Sequence, residues 1–253
     1  MEKIYIVCVG IRAAIVYEDK SPYTRLNNIE LNMEYPWDIA ACKSHNRLYI
    51  SDKTGHCLWM CAVKKTGDYE VRKWIQTETG QDNTISVTNE GNVLMLNPTW
   101  LNVYNPKGSQ INSIRLPREI QQPQHAVATL RGTYFVSHGI FPESQHRISE
   151  ISPEGYVLRS FGDRNGNGKG QLDWPLYTVI DSEDRLFVSD FYNQRIILLD
   201  SQLRLRRVIL TREENKIASV LRISYDNQSG NLLLGTILSQ DGGCHIFRIR
   251  NPG

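Results

Sequence analysis

Residues 174–210 read WPLYTVIDSEDRLFVSDFYNQRIILLDSQLRLRRVIL. Three apolar or alternating runs are each cut by turn-forming residues, around Asp181–Asp184, Asp190–Asn193 and Asp200–Ser201, and a fourth, charged run closes the stretch. The runs are too short for globular helices, are rich in β-branched and aliphatic residues, and are bounded by Asp, Asn and Ser. That combination reads as consecutive strands of one antiparallel meander. Upstream, residues 36–63 read PWDIAACKSHNRLYISDKTGHCLWMCAV, and the two stretches share Arg-Leu-aromatic-aliphatic-Ser-Asp at Arg47–Asp52 and at Arg185–Asp190.

Working outward, the same frame fits most of the chain. The first strand of each unit passes one equivalent position at Asp38, Thr84, His125, Tyr177 and Arg222. The second strand ends at Asp52, Asn97, His138, Asp190 and Thr236, so the two marks are 14, 13, 13, 13 and 14 residues apart. Successive units are 46, 41, 52 and 45 residues apart, the length of a propeller blade. The third strand begins near Cys57, Trp100, Arg147, Arg195 and His245. At the N-terminus, residues 3–8, 13–18 and 25–31 read as the second, third and fourth strands of a further unit, and the last unit runs only to its third strand. The expected fold is all-β: a six-bladed β-propeller of four-stranded antiparallel blades, with five blades as the alternative, formed by residues 1–253 as a single domain. Blade cores are expected from Ile39, Tyr49, Ile50, Leu58, Phe135, Val136, Val179, Phe187, Val188, Ile196, Leu198, Ile223 and Leu234.

Bulk properties narrow the class. Of 253 residues, 40% are hydrophobic and 22% charged, with a net charge of +2, which lacks the basic excess of a dedicated nucleic-acid binder. No apolar run approaches the roughly 20 residues of a membrane span, and the apolar N-terminus, interrupted by Arg12, fits the repeat as a strand. The five cysteines lack metal-type spacing; Cys57 and Cys61, four apart on one strand, are about 13 Å apart, too far for a disulfide. Reduced, mostly buried thiols point to an intracellular, cytoplasmic protein, and without a long apolar run no membrane partner is expected.

The stretch SFGDRNGNGKGQLDWPLYTVIDSEDRLFVSDFYNQRIILLD resembles the NHL repeat. The matching positions are Phe161, Gly162, Gly170, Gln171, Pro175, Val188, Asp190, Asn193, Arg195, Ile196 and Asp200. The unit at Pro36 keeps Asp52 but has Cys57 where the repeat has Arg, and His138 replaces the Asp of the fourth unit. NHL domains often lie at the C-terminus of RING-type ubiquitin ligases and bind RNA or protein. The resemblance therefore implies a binding propeller. The chain has no RING cysteine pattern, so ligase activity does not follow.

Each chemically suggestive motif has a structural counterpart. Asp163–Gly168 imitates the front of a calcium loop, but Trp174 stands where a bidentate Glu is needed, so a Gly-rich turn between blades is expected. Asp52 and Asp190, closing strands, are expected to accept backbone N–H groups of the following turn. His125, His138 and His146 fall in one unit and make a minority zinc-site candidate. The first-strand positions should converge at one end of the propeller, with the long loops 139–147 and 237–245. The partner-binding residues expected there are Trp37, Asp38, His125, Arg164, Tyr177, Tyr192 and Arg222, a basic and aromatic mix suited to a protein hot spot or to single-stranded RNA. The functional reading is a non-catalytic scaffold that recognises a macromolecule, protein first and RNA second, with no cofactor. A metal-assisted hydrolase or lyase working at the pore is the alternative.

Overall fold

The computed structural model describes residues 3–8, 12–18, 24–64, 66–77, 83–140, 145–215, 220–236 and 244–247. It forms two compact units, Met1–Ser113 and Ile114–Gly253.

The first unit holds three antiparallel sheets. Strands β1 (Lys3–Cys8), β2 (Ala13–Glu18) and β3 (Arg25–Glu30) make a three-stranded sheet; β4 (Pro36–Cys42), β5 (Arg47–Asp52), β6 (Cys57–Val63) and β7 (Tyr69–Gln76) make the second; β8 (Thr84–Val87), β9 (Val93–Leu96), β10 (Trp100–Tyr104) and β11 (Gln110–Arg115) make the third. The second unit repeats the pattern with β12 (Pro123–Ala128), β13 (Tyr134–His138), β14 (Arg147–Ile151) and β15 (Val157–Phe161), then β16 (Pro175–Ile180), β17 (Leu186–Asp190), β18 (Arg195–Leu199) and β19 (Leu205–Thr211). A three-stranded sheet of β20 (Val220–Asp226), β21 (Asn231–Thr236) and β22 (Cys244–Phe247) ends it. Among the described residues the only α-helix is the four-residue α1 (Arg212–Asn215), and no helix is long and apolar enough to cross a membrane.

Every sheet is a meander whose strands pair in chain order, as short turns between amphipathic strands require. Central strands are apolar on both faces because each is covered twice. Tyr49, Leu58 and Met60 of the second sheet pack with Ile85, Val93 and Met95 of the third, while Ile50 and Leu48 pack with Ala14 and Val16 of the first. Phe187 and Ile196 pack with Ile223 and Leu234 on one side of the fifth sheet, and Val188 and Ile197 pack with Phe135 and Ile148 on the other. Of the expected core, Ile39 and Val179 are half-buried and the others are buried. The fourth strands, covered on one side only, are the exposed ones, as in β15 and β19.

One irregularity recurs where it matters for the site. The pairing of the first strand with the second shifts by one residue between Pro36 and Asp38, Pro123 and His125, Pro175 and Tyr177, and Val220 and Arg222. Trp37, Gln124, Leu176 and Leu221 are therefore bulge residues, and each bulge re-aims the residue that follows it.

Candidate functional site

The bulges set the first-strand positions against the neighbouring sheet. In the first unit, Asp38 is buried; its N–H donates to Ser51 Oγ at 3.1 Å, and its Oδ2 accepts the N–H of Ile85 on the next sheet's first strand at 2.9 Å. In the second unit, the His125 N–H donates to Ser137 Oγ at 3.1 Å and its Nδ1 lies 3.1 Å from Thr178 Oγ1 on the next first strand. In both cases the bond reaches the residue one place beyond the neighbour's equivalent position, so Asp38 and His125 link consecutive sheets.

His125, Tyr177 and Arg222 do come together. The His125 and Tyr177 rings stack with centroids 3.7 Å apart and planes 26° apart, and the Arg222 guanidinium carbon lies 5.0 Å from the Tyr177 centroid. Burial decides how this stack can act: His125 is 1% and Tyr177 6% exposed, so both are platform more than contact surface. Arg222 is half-buried, with Nη1 donating to the Leu221 carbonyl. Gly235 stands opposite Arg222, and a Cβ there would come within 3.3 Å of the Arg222 Cβ.

Beside the stack is an aromatic cluster. Trp174 packs against Phe191 at 4.9 Å and Tyr192 at 5.1 Å, and Tyr192 is 50% exposed. Trp174 adopts a left-handed backbone, φ 55°, which a bulky residue holds only when its surroundings fix it. Its N–H donates to His146 Nδ1 at 3.0 Å, its carbonyl accepts the Phe191 N–H at 3.1 Å, and its indole N–H donates to Gln124 Oε1 at 3.0 Å. Arg164, exposed on the Gly-rich loop, forms an isolated bridge with Gln145. That loop is tied to the Tyr192 turn by Asn193, whose Nδ2 donates to the Gly166 carbonyl at 2.8 Å. In the first unit Trp37 lies beside Tyr35 with Lys53 Nζ 4.5 Å from its ring.

The strand-end carboxylates hold the chain entering each sheet. Asp190, fully buried, accepts the Asp173 N–H at 2.7 Å, Asn193 Nδ2 at 2.9 Å and Arg195 Nε at 2.7 Å. Burial lifts its carboxyl above the ordinary aspartate value, against the pull of those donors. Asp52 accepts the N–H groups of Glu34, Tyr35 and Gly55. Only the Gly55 bond is a backbone N–H of the following turn, with Asn193 reaching Asp190 from its turn by the side chain; the expected backbone bonds are a minority.

The three histidines do not converge. His125 is the cross-strand partner of Ser137, and His138 is the next residue, so His125 and His138 leave opposite faces of the sheet. His138 Nε2 instead meets Ser149 Oγ at 2.8 Å, and His146 faces Trp174 and Asp173. Among the described residues no group of three His, Cys, Asp or Glu side chains is placed to hold a metal. The parts of the long loops at 141–144 and 237–243 lie outside the described residues. The bonds that join Trp174 to Gln124 and to His146 were not read from the sequence. The available signal was Ser before the strand-end residue, at Ser51, Ser137 and Ser189, which marks the first-strand partner.

These repeated sheets have counterparts among solved structures. A protein of unknown function from Bacteroides caccae matches with a TM-score of 0.69 at 17% identity, over 94% of this chain and 83% of its own. Hydrazine synthase of Kuenenia stuttgartiensis matches with 0.67 at 10% identity, over 98% and 92%. The chain is a β-propeller. A streptogramin B lyase matches with a TM-score of 0.58 at 15% identity, over 86% of this propeller and 70% of the lyase. No family model matches the propeller, and no curated protein matches it in sequence. At these identities the likeness carries the fold alone.

Proposed function

We propose that the chain is a non-catalytic binding module of the NHL kind, which engages a protein partner in its second unit through Tyr192, Trp174 and Arg164, with the Arg222–Tyr177–His125 stack as the rigid floor. The observation that carries this reading is the division of labour at the site. The groups able to do acid–base chemistry are engaged in internal hydrogen bonds: His125 with the Thr178 hydroxyl, His138 with the Ser149 hydroxyl, His146 with the Trp174 N–H, and Asp190 with three donors. Tyr192 and Arg164 face solvent. Tyr, Trp and Arg on a frame held by strained backbone are the residue types of interaction hot spots. The Asp190–Asn193–Arg195 cluster, with Arg195 reaching the carbonyls of Gln171 and Asn167, gives the NHL-like residues a common structural task and supports the family resemblance. In the first unit Trp37 and Lys53 form a similar aromatic and cationic pair.

A photoreactive residue replacing Tyr192 in the full chain tests this, with one replacing exposed Arg204 as the control. We expect the Tyr192 probe to capture a protein that survives nuclease treatment. Charge reversal at Arg164 together with Arg222 should reduce that capture. A nuclease-sensitive adduct would make the partner RNA. Capture at Arg204 and none at Tyr192 would refute the site.

A further inference from the structure

The turn from β4 to β5 differs in chemistry from its counterpart in the fifth sheet. There, Arg185 donates to Asp181 at 2.6 Å and lies 3.6 Å from Glu183, so its charge is neutralised locally. Strand register makes Ala41 the counterpart of Ile180, since they pair with Leu48 and Leu186 respectively. Asn46 and Asp184 occupy the same left-handed corner, at φ 50° and 57°. Cys42, His45 and Arg47 therefore stand where Asp181, Glu183 and Arg185 stand in the fifth sheet. Both acids are gone, and one is replaced by a base.

The freed Arg47 is not loose. Its Nη1 donates to the Pro106 carbonyl at 2.6 Å, which brings it to the turn between β10 and β11, where Lys107 is exposed. His45 is held as well. Its Nδ1 lies 3.3 Å from Cys42 Sγ and 3.0 Å from Ser44 Oγ. Where the Ser44 hydroxyl or the Cys42 thiol donates to that nitrogen, the neutral imidazole carries its ring proton on Nε2 as a further donor. Gly91, at φ 84°, clears the space: a Cβ there would come within 2.7 Å of the His45 ring. His45, Arg47, Asn105, Pro106 and Lys107 line a cavity of about 390 Å³ with no acidic residue among them.

We infer that this cavity is a binding site for a phosphate monoester. Arg47 supplies the guanidinium donors not committed to the Pro106 carbonyl, His45 a ring nitrogen able to donate, and Lys107 a flexible cation, a set that recognises a tetrahedral dianion. The cavity is larger than a phosphate group, which leaves room for part of the alcohol that carries it. The site lies wholly in the first unit and is independent of the proposed partner site in the second.

Inorganic phosphate, titrated into the full chain at constant ionic strength, is expected to shift the ring resonances of His45 saturably in the millimolar range. The indole of Trp74, which sits against Gly108 in the same turn, should shift with them. Chloride should have no such effect. Arg47→Gln and Lys107→Ala should each weaken binding by about fivefold or more; Lys107, exposed on a turn, keeps the test valid if Arg47→Gln misfolds. A phosphoserine peptide that binds more tightly than phosphate, beside an inert unphosphorylated twin, would place the ligand on a phosphorylated protein. Equal affinity would point to a free phosphate ester. No saturable shift, or one unaltered by both substitutions, overturns the inference.

Discussion

His138 is 1% exposed, with Nε2 2.8 Å from Ser149 Oγ. Burial, with Arg147 and His146 nearby, lowers its pKa from 6.5 to about 4. The unfolded chain therefore binds this proton more readily. The stability owed to neutral His138 is complete above pH 6.5 and is lost as the pH falls towards 4. The shift corresponds to about 3 kcal/mol across that window. Urea midpoints measured from pH 7 to pH 4 should fall accordingly, and His138→Gln should flatten that part of the profile. An imidazole that titrates by NMR near its ordinary value would refute the argument. Asp190→Ala should cost about 1–3 kcal/mol of unfolding free energy, because it strands the Asp173 N–H and the Arg195 guanidinium. Unchanged melting with lost binding would make Asp190 a contact residue instead. The special character of both residues was legible in their place at a strand end. The face they point to was not, because a bulge on the partner first strand breaks the alternation from which it would be counted.

The first three strands of a sheet were legible because they carry apolar or alternating runs between turn residues, and the fourth because a charged run closes the unit. The chemistry of the turns was less so, although it repeats. Thr88, Thr129, Asp181 and Asp226 each lie four residues after the marked first-strand position, and each accepts backbone N–H groups of its own turn. Asn105, Ser152 and Asp200 do the same at the ends of third strands. Short polar side chains compete for nearby N–H groups and so fix where a strand stops. Asp181→Ala removes the acceptor for the Glu183 and Arg185 N–H groups and the partner of Arg185 Nε. It should destabilise by about 1–3 kcal/mol and raise amide exchange in residues 181–186 first; uniform exchange across the fifth sheet would argue against a local clasp. Gly139, at φ 92°, would place a Cβ 2.0 Å from the Gln145 carbonyl oxygen, so Gly139→Ala should perturb the Trp174 cluster through His146 and be visible in tryptophan fluorescence. An unchanged spectrum and melting point would show that the loop absorbs the clash.

At the scale of the molecule, Cys57 and Cys61 lie in β6, a strand between two others, and both are buried. Burial raises the Cys61 thiol to about 11, so thiolate is scarce as well as covered. Labelling with a maleimide across a urea series should follow the loss of tryptophan signal, since both thiols need the second sheet to open. Labelling of Cys57 or Cys61 well before that transition would mean that β6 is reached without the second sheet unfolding. Repetition made the all-β fold readable from a single chain. The site was less readable because its members are joined by bonds between sheets, which leave no trace in spacing. Those bonds differ in what they demand of their neighbour. Asp38 takes a peptide N–H, which any residue but proline offers, whereas His125 takes a hydroxyl that only Thr178 provides. A copy of the second repeat made by gene duplication could settle beside almost any other, while a copy of the fourth would arrive without its counterpart. Growth of such a chain by duplication is thus open at one repeat and closed at the other.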